Sequence, residues 1–146
     1  MAILRGEQGA VQFAPTGSSN ATIIGTRSWT LSITKDSLDT TSHAPATAAD
    51  LGFRKFVGGM VSGSGTVELV YDPDATGQAT FIEDIVTVAD PADATFELFT
   101  TGVNAATDSV SFAGIITSMD IASTVGELVV VTCNFITSGA IVSNLQ

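Results

Sequence analysis

The chain has 146 residues, the length of one domain and enough to bury a sizeable core without staples. Fifteen acids against five bases give a formal net charge of −10, the opposite of the clustered Lys and Arg that phosphate binding needs, which argues against direct nucleic-acid binding. A single cysteine, Cys133, precludes an intrachain disulfide, and a single histidine, His43, leaves no Cys/His metal set and no nucleophile–base pair with an orienting group.

The charges are unevenly placed. All five bases (Arg5, Arg27, Lys35, Arg54, Lys55) lie in residues 1–55 with four acids, whereas residues 56–146 hold eleven acids and no base. The first residues lack the apolar stretch of a signal peptide. The longest apolar run, Leu128 to Val131, is too short to cross a membrane, so no membrane anchor is expected and the expected setting is cytoplasmic synthesis.

In chain order, Glu7 to Phe13 reads as a short strand and Pro15 to Asn20 as a turn. Thr22 to Lys35 is a strand, clearest from Arg27 on. Trp29, Leu31 and Ile33 alternate with Ser28, Thr30, Ser32 and Thr34, which puts the apolar set in the core. Asp36 to Leu51, with Asp39, Thr40 and Thr41, has no period and is expected to be a long polar loop; loops of that length are usually functional or disordered. Phe53 to Val57 restarts extended structure, and Gly58, Gly59, Gly63 and Gly65 mark bulges or close backbone approach. Thr66 to Tyr71 is a strand with Val67, Leu69 and Tyr71 facing the core. The two strands and the polar excursion between them resemble a core holding out an arm.

Asp72-Pro73-Asp74 predicts a turn and helix cap, and Phe81, Ile82, Ile85, Val86 and Ala89 recur at helical spacing over about Ala75 to Ala89. Asp90-Pro91 ends that helix. Thr95 to Thr101 is a strand with Phe96 and Leu98 on one face. Ser109 to Ile121 and Glu127 to Thr137 form a hairpin about Ser123-Thr124-Val125-Gly126, with a change of phase at Ala113-Gly114 that predicts a bulge. Val129, Val131, Cys133 and Phe135 line one face of the second strand. Leu128, Val130 and Ile136 make its other face apolar too, so the helix or a neighbouring subunit must cover it. The predicted core is Trp29, Leu31, Ile33, Val67, Leu69, Phe81, Ile85, Val129, Val131 and Phe135. The expected fold is one mostly-β domain over residues 1–146: an antiparallel β-sandwich or barrel with one flanking α-helix and a long extended loop.

Catalytic patterns are weak. Gly63-Ser64-Gly65 lacks the full pattern and following helix of a nucleophile elbow, and the Gly58 to Gly63 run lacks the lysine of a phosphate loop. Asp72, Asp74, Glu83 and Asp84 do not have calcium-loop spacing. The expectation is a non-enzymatic protein without cofactors.

The run Ser28-Trp29-Thr30-Leu31-Ser32-Ile33, then Asp36-Ser37-Leu38-Asp39-Thr40-Thr41, Phe53-Arg54-Lys55-Phe56-Val57-Gly58-Gly59 and Gly63-Ser64-Gly65-Thr66-Val67, resembles the tail tube proteins of long-tailed bacteriophages. Phe112-Ala113-Gly114-Ile115-Ile116-Thr117-Ser118-Met119 and Phe135-Ile136-Thr137-Ser138-Gly139-Ala140 extend the likeness over most of the chain. The resemblance implies a virion protein whose hexameric rings stack into a tube, assembled in the host cytoplasm. It also implies a tape-measure protein in the lumen, tail terminator and tail-tip proteins at the ends, and DNA passing through without specific binding. A negative wall would repel that DNA. The charge asymmetry places ring-stacking contacts between Lys35, Arg54 and Lys55, together with Asp36, Asp39, Thr40 and Thr41, and acids of the next ring among Asp72, Asp74, Asp90 and Asp93. The alternatives are another ring-forming virion part, a tail terminator or head-tail connector, and a stand-alone β-sandwich for adhesion or carbohydrate binding.

Overall fold

The computed structural model describes residues 9–15, 21–23, 25–41, 52–75, 77–86, 94–100 and 108–145. Among these residues seven strands and one helix follow in the order β1 (Ala10–Ala14), β2 (Ala21–Thr22), β3 (Thr26–Asp39), β4 (Phe56–Val70), α1 (Gln78–Asp84), β5 (Ala94–Phe99), β6 (Ser109–Ala122) and β7 (Val130–Ser143). The strands form one sheet in the order β2-β1-β5-β6-β7-β4-β3, with every neighbouring pair antiparallel. The fold is mostly β with one helix, as the alternation predicts.

The sheet curls so that β1 comes alongside β3. Trp29 fastens this closure by donating its indole N–H to the Phe99 carbonyl at 3.2 Å. Between the two halves lies a single core. Val11 and Phe13 of β1, Phe96 and Leu98 of β5, Val110, Phe112 and Ile116 of β6, Val131, Cys133 and Phe135 of β7, and Val67 and Leu69 of β4 are all buried in it. Their alternation with polar or exposed neighbours is what a pleated strand requires to fill one face. Phe96 sits at the centre, edge-on to Phe13 (5.0 Å, 65°) and stacked with Phe112 (5.3 Å, 12°) and Phe135 (5.1 Å, 26°).

The helix is shorter than its apolar period predicts. It begins at Gly77, whose φ of 89° suits glycine, and not at the Asp72-Pro73-Asp74 cap. Asp72 closes a turn instead, accepting from the Asp74 N–H at 3.0 Å. Phe81 is buried, Ile82 and Ile85 pack against the core, and Val86 is exposed. Ala89, Asp90 and Asp93 lie outside the described residues. Gln78, fully buried, ties helix to strand: its amide donates to the Val70 carbonyl and accepts from the Asp72 N–H, both at 2.9 Å. This satisfies a buried amide that would otherwise cost on the order of 1–3 kcal/mol.

Four sequence expectations need correction. Asp36 to Asp39 is not loop but the end of β3, paired through Ser37↔Gly58, Leu38↔Val57 and Asp39↔Phe56; residues 42–51 of the expected loop, including His43, lie outside the described residues. Ile33 has the core phase of Trp29 and Leu31 but is 51% exposed, because β3 runs past the body; Trp29 and Leu31 themselves are half-buried, as are Ile85 and Val129. Tyr71 lies just beyond the end of β4 and is 44% exposed. The phase change in β6 is real but comes three residues late. Burial continues in phase through Val110, Phe112, Gly114 and Ile116, and the extra residue is Thr117, between the pairs Ile116↔Phe135 and Ser118↔Asn134. The irregularity at Ala113 belongs to β7, which carries Gly139 and Ala140 in excess, Gly139 with φ 83°.

Candidate assembly interface

The β4–β7 ladder stops at Ser64↔Ile136, while the β3–β4 ladder continues from Ile33↔Gly63 to Asp39↔Phe56. Gly63 marks the departure point. It is buried under Thr137 and Ile141, and its N–H donates to the Thr137 hydroxyl at 2.9 Å. Beyond it a two-stranded arm extends about 20 Å, at about 3.3 Å per residue. Residues 33–41 of this arm are exposed throughout. Within the arm, Gly59 and Met60 together oppose Asp36, a two-for-one bulge that adds twist.

Thr40 and Thr41 hold the strands together at the far end. The Thr40 N–H donates to the Lys55 carbonyl at 2.8 Å, and the Lys55 N–H donates to the Thr41 hydroxyl at 2.8 Å. Asp39 accepts from the Thr41 N–H at 2.9 Å, and hydrogen bonding from Thr41 holds its carboxyl below the ordinary value of 3.8. These polar residues therefore brace the arm internally.

Sequence reasoning missed how apolar the arm is. Phe53 (71% exposed) and Phe56 (55% exposed) flank Arg54 and Lys55, and Leu38, Val57, Met60 and Val61 are exposed behind them. The signal was present in Phe53 and Phe56, but a strand's phase cannot say whether a body lies above it. Lys35 lays its aliphatic stem across Gly58, where a Cβ would come within 2.6 Å of Lys35 Cε.

The opposite end of the long strands is acidic. The antiparallel pairing Val70↔Val130 puts the β6–β7 turn and the β4–α1 link there, far from the arm. Asp72, Asp74, Glu83 and Glu127 are exposed at this end, with Tyr71, Val125 and Leu128. A shallow cleft of about 180 Å³ lies between Tyr71 and α1, lined by Pro73, Ala79, Ile82 and the buried Gln78 together with Asp72 and Glu83. The structure thus puts Lys35, Asp36, Asp39, Thr40, Thr41, Arg54 and Lys55 on the arm and Asp72 and Asp74 at the other end; it does not bring the two sets together within one protomer.

Two further surfaces complete the geometry. The outer face of β3, β4, β7 and β6 is rich in hydroxyls: Thr30 and Thr66 share a 2.7 Å hydrogen bond, Thr34 and Ser62 one of 3.2 Å, and Asn134 donates to Ser118 at 2.7 Å. Glu68, bridged to Arg27 at 3.6 Å, and Asp120 bring carboxylates to it. Two backbone edges are also open among the described residues. β5 pairs with β6 only as far as Gly114, so Ile115–Ala122 has a partner on one side only, and β3 is the last strand of the sheet. Among the described residues no group of His, Cys, Asp and Glu is placed to hold a metal ion, and no helix is long and apolar enough to cross a membrane.

No protein-family model matches the chain, and no curated protein sequence matches it. Solved structures do. A chain from the tail of an empty gene transfer agent particle with C6 symmetry superposes with a TM-score of 0.72 at 20% identity, covering 97% of this chain and 98% of that one. The SPP1 tail tube protein gives 0.72 at 17% identity, covering 99% and 80%. A chain from the sheath–tube complex of the PVC extracellular contractile injection system gives 0.66 at 11% identity, covering 97% and 92%. The chain shares the fold of these structures over 97–99% of its length.

Proposed function

We propose that the chain is a structural subunit of a virion tail tube: copies join side by side into six-membered rings, and rings stack head to tail into a hollow tube. The observation that carries this reading is the four-stranded half-sheet β6-β7-β4-β3, open at both edges among the described residues. Each step across it is antiparallel, so β6 and β3 run in opposite directions. The β6 edge of one copy can therefore continue the sheet from the β3 edge of the next, and repetition about an axis closes a barrel without exposed edges. The sixfold count comes from the gene transfer agent tail, whose C6 symmetry is that protein's own.

In such a barrel the β1–β5–α1 layer must lie outside, since copies of it would fill the bore. The hydroxyl-rich face then lines the lumen, with Glu68 and Asp120 contributing negative charge. Hydroxyls and sparse carboxylates give transiting DNA few cations to bind. Rings stack with Lys35, Arg54 and Lys55 of one copy facing Asp72 and Asp74 of the next, a head-to-tail contact that propagates because it does not close. In this reading the protein resides in the virion tail, performs no catalysis, and meets terminator and tip proteins at the tube ends and a tape-measure protein inside.

Electron microscopy of the concentrated, purified protein tests this. Hollow tubes of uniform width are expected. Discrete rings that never stack would favour a terminator or connector, and a persistent monomer would favour a stand-alone adhesion module.

A further inference from the structure

Ion pairs between rings leave the arm's exposed apolar residues without a role. Phe53 and Phe56 are three residues apart and both more than half exposed; Phe56 opens β4, and Phe53 precedes it across the Arg54-Lys55 segment that Thr40 and Thr41 brace. Apolar side chains so presented mark contact sites when they cluster. At the other end of the strand axis lies a concave counterpart, the cleft between Tyr71 and α1, lined by Ala79 and Ile82 together with Asp72 and Glu83.

We infer that the Phe53–Phe56 segment of the arm plugs the Tyr71–Ile82 cleft of a second copy of this chain in the adjacent ring. Three features fit arm to cleft. The arm carries an aromatic ring on either side of two cations, and the cleft carries apolar side chains beside two acids, so the two are complementary in polarity and in the sign of those charges. The two surfaces lie at opposite ends of β4, so one copy can give its arm in one direction and receive one in the other. Neither can meet within a protomer, because the intervening β4 is a continuous 15-residue strand. The inference rests on the tube reading and assigns its axial contact to aromatic burial, with the surrounding charges setting register.

The test compares the wild type with the double variant Phe53→Ser/Phe56→Ser. Both positions are solvent-facing, so the protomer keeps its thermal midpoint. Wild type forms tubes, while the double variant stops at rings or shows at least a tenfold higher critical concentration. A second measurement mixes Lys55→Cys protein with Glu83→Cys protein and oxidises the assembled tubes. A disulfide-linked dimer is expected only from the mixture, and buried Cys133 does not contribute. Tubes from the double variant at the wild-type concentration, or tubes of the cysteine pair with no cross-link, overturn the plug while leaving the tube reading intact. A wild type that makes no tubes at all fails the tube reading itself, and the plug with it.

Discussion

Phe96 holds the two halves of the curled sheet to each other. Its ring touches Phe13 from β1, Phe81 from α1, Phe112 from β6 and Phe135 from β7, so one side chain ties four elements. Such ring pairs contribute about 0.5–1.5 kcal/mol each beyond burial. Phe96→Ala is expected to cost about 3–5 kcal/mol by urea titration, and a loss under about 1 kcal/mol would remove the ring cluster from the account of stability. Leu31→Ala belongs lower in the range for buried leucine, because Leu31 is half-buried. Cys133 makes a second test. Burial, with Asp120 nearby, pushes its thiol up to about 12 from an ordinary 9.0. The thiol is therefore protonated and inert in the folded protein at pH 8, and thiol reagents label it only after denaturation. The sign follows from linkage: a raised folded value means stability is full below pH 9 and falls between about 9 and 12, as the unfolded chain releases the proton first. Much of this core was legible residue by residue, since Val67, Leu69, Val131 and Phe135 follow the alternation. Ile33 was not, because phase tells which face a side chain takes and not whether anything covers it.

The arm is the element whose nature the sequence half concealed. Polar composition from Asp36 onward reads as loop, yet Ser37, Leu38 and Asp39 find partners in Gly58, Val57 and Phe56. Strand pairing depends on the partner across the ladder, which lies twenty residues downstream and is invisible to a local pattern. The β6 bulge shows the same limit. A change of phase was visible, but its position at Thr117 is fixed by the register with Asn134 and not by the run of β6 alone. The arm's end is also where acid should act. Asp39 is held below its ordinary 3.8 by hydrogen bonds from Thr41, so its contribution to the brace is present above that value and is lost as pH falls through the lower folded value. Thr41→Val removes the hydroxyl that receives the Lys55 N–H. The variant should show faster amide exchange at Lys55 with a nearly unchanged global midpoint. Equal exchange in variant and wild type would mean that the backbone ladder alone holds the arm.

At the scale of the whole molecule, the uneven charge along the sequence becomes an axis. The arm carries Lys35, Arg54 and Lys55 beside Asp36 and Asp39, a small positive excess, and the far end carries Asp72, Asp74, Glu83 and Glu127. A single exposed ion pair is worth only about 0–1 kcal/mol. In the proposed stack, repetition around a ring would multiply that term without strengthening any one contact, so the electrostatic part of stacking would grow with copy number and be sensitive to screening. The proposed apolar plug would behave differently, since added salt does not weaken apolar burial. Arg54→Glu separates the two. Arg54 is exposed, so the variant protomer should melt with the wild type, whereas at low ionic strength the reversed charge faces the acidic end of the next copy and tubes should not form. At about 1 M salt, where the screening length falls to roughly 3 Å, the repulsion is largely removed and Phe53 and Phe56 remain, so tubes should return. Pelleting across a salt series reads both outcomes. Wild-type assembly of Arg54→Glu at low ionic strength would make the cations bystanders; failure at every salt concentration would mean that Arg54 makes a specific close contact that screening cannot replace.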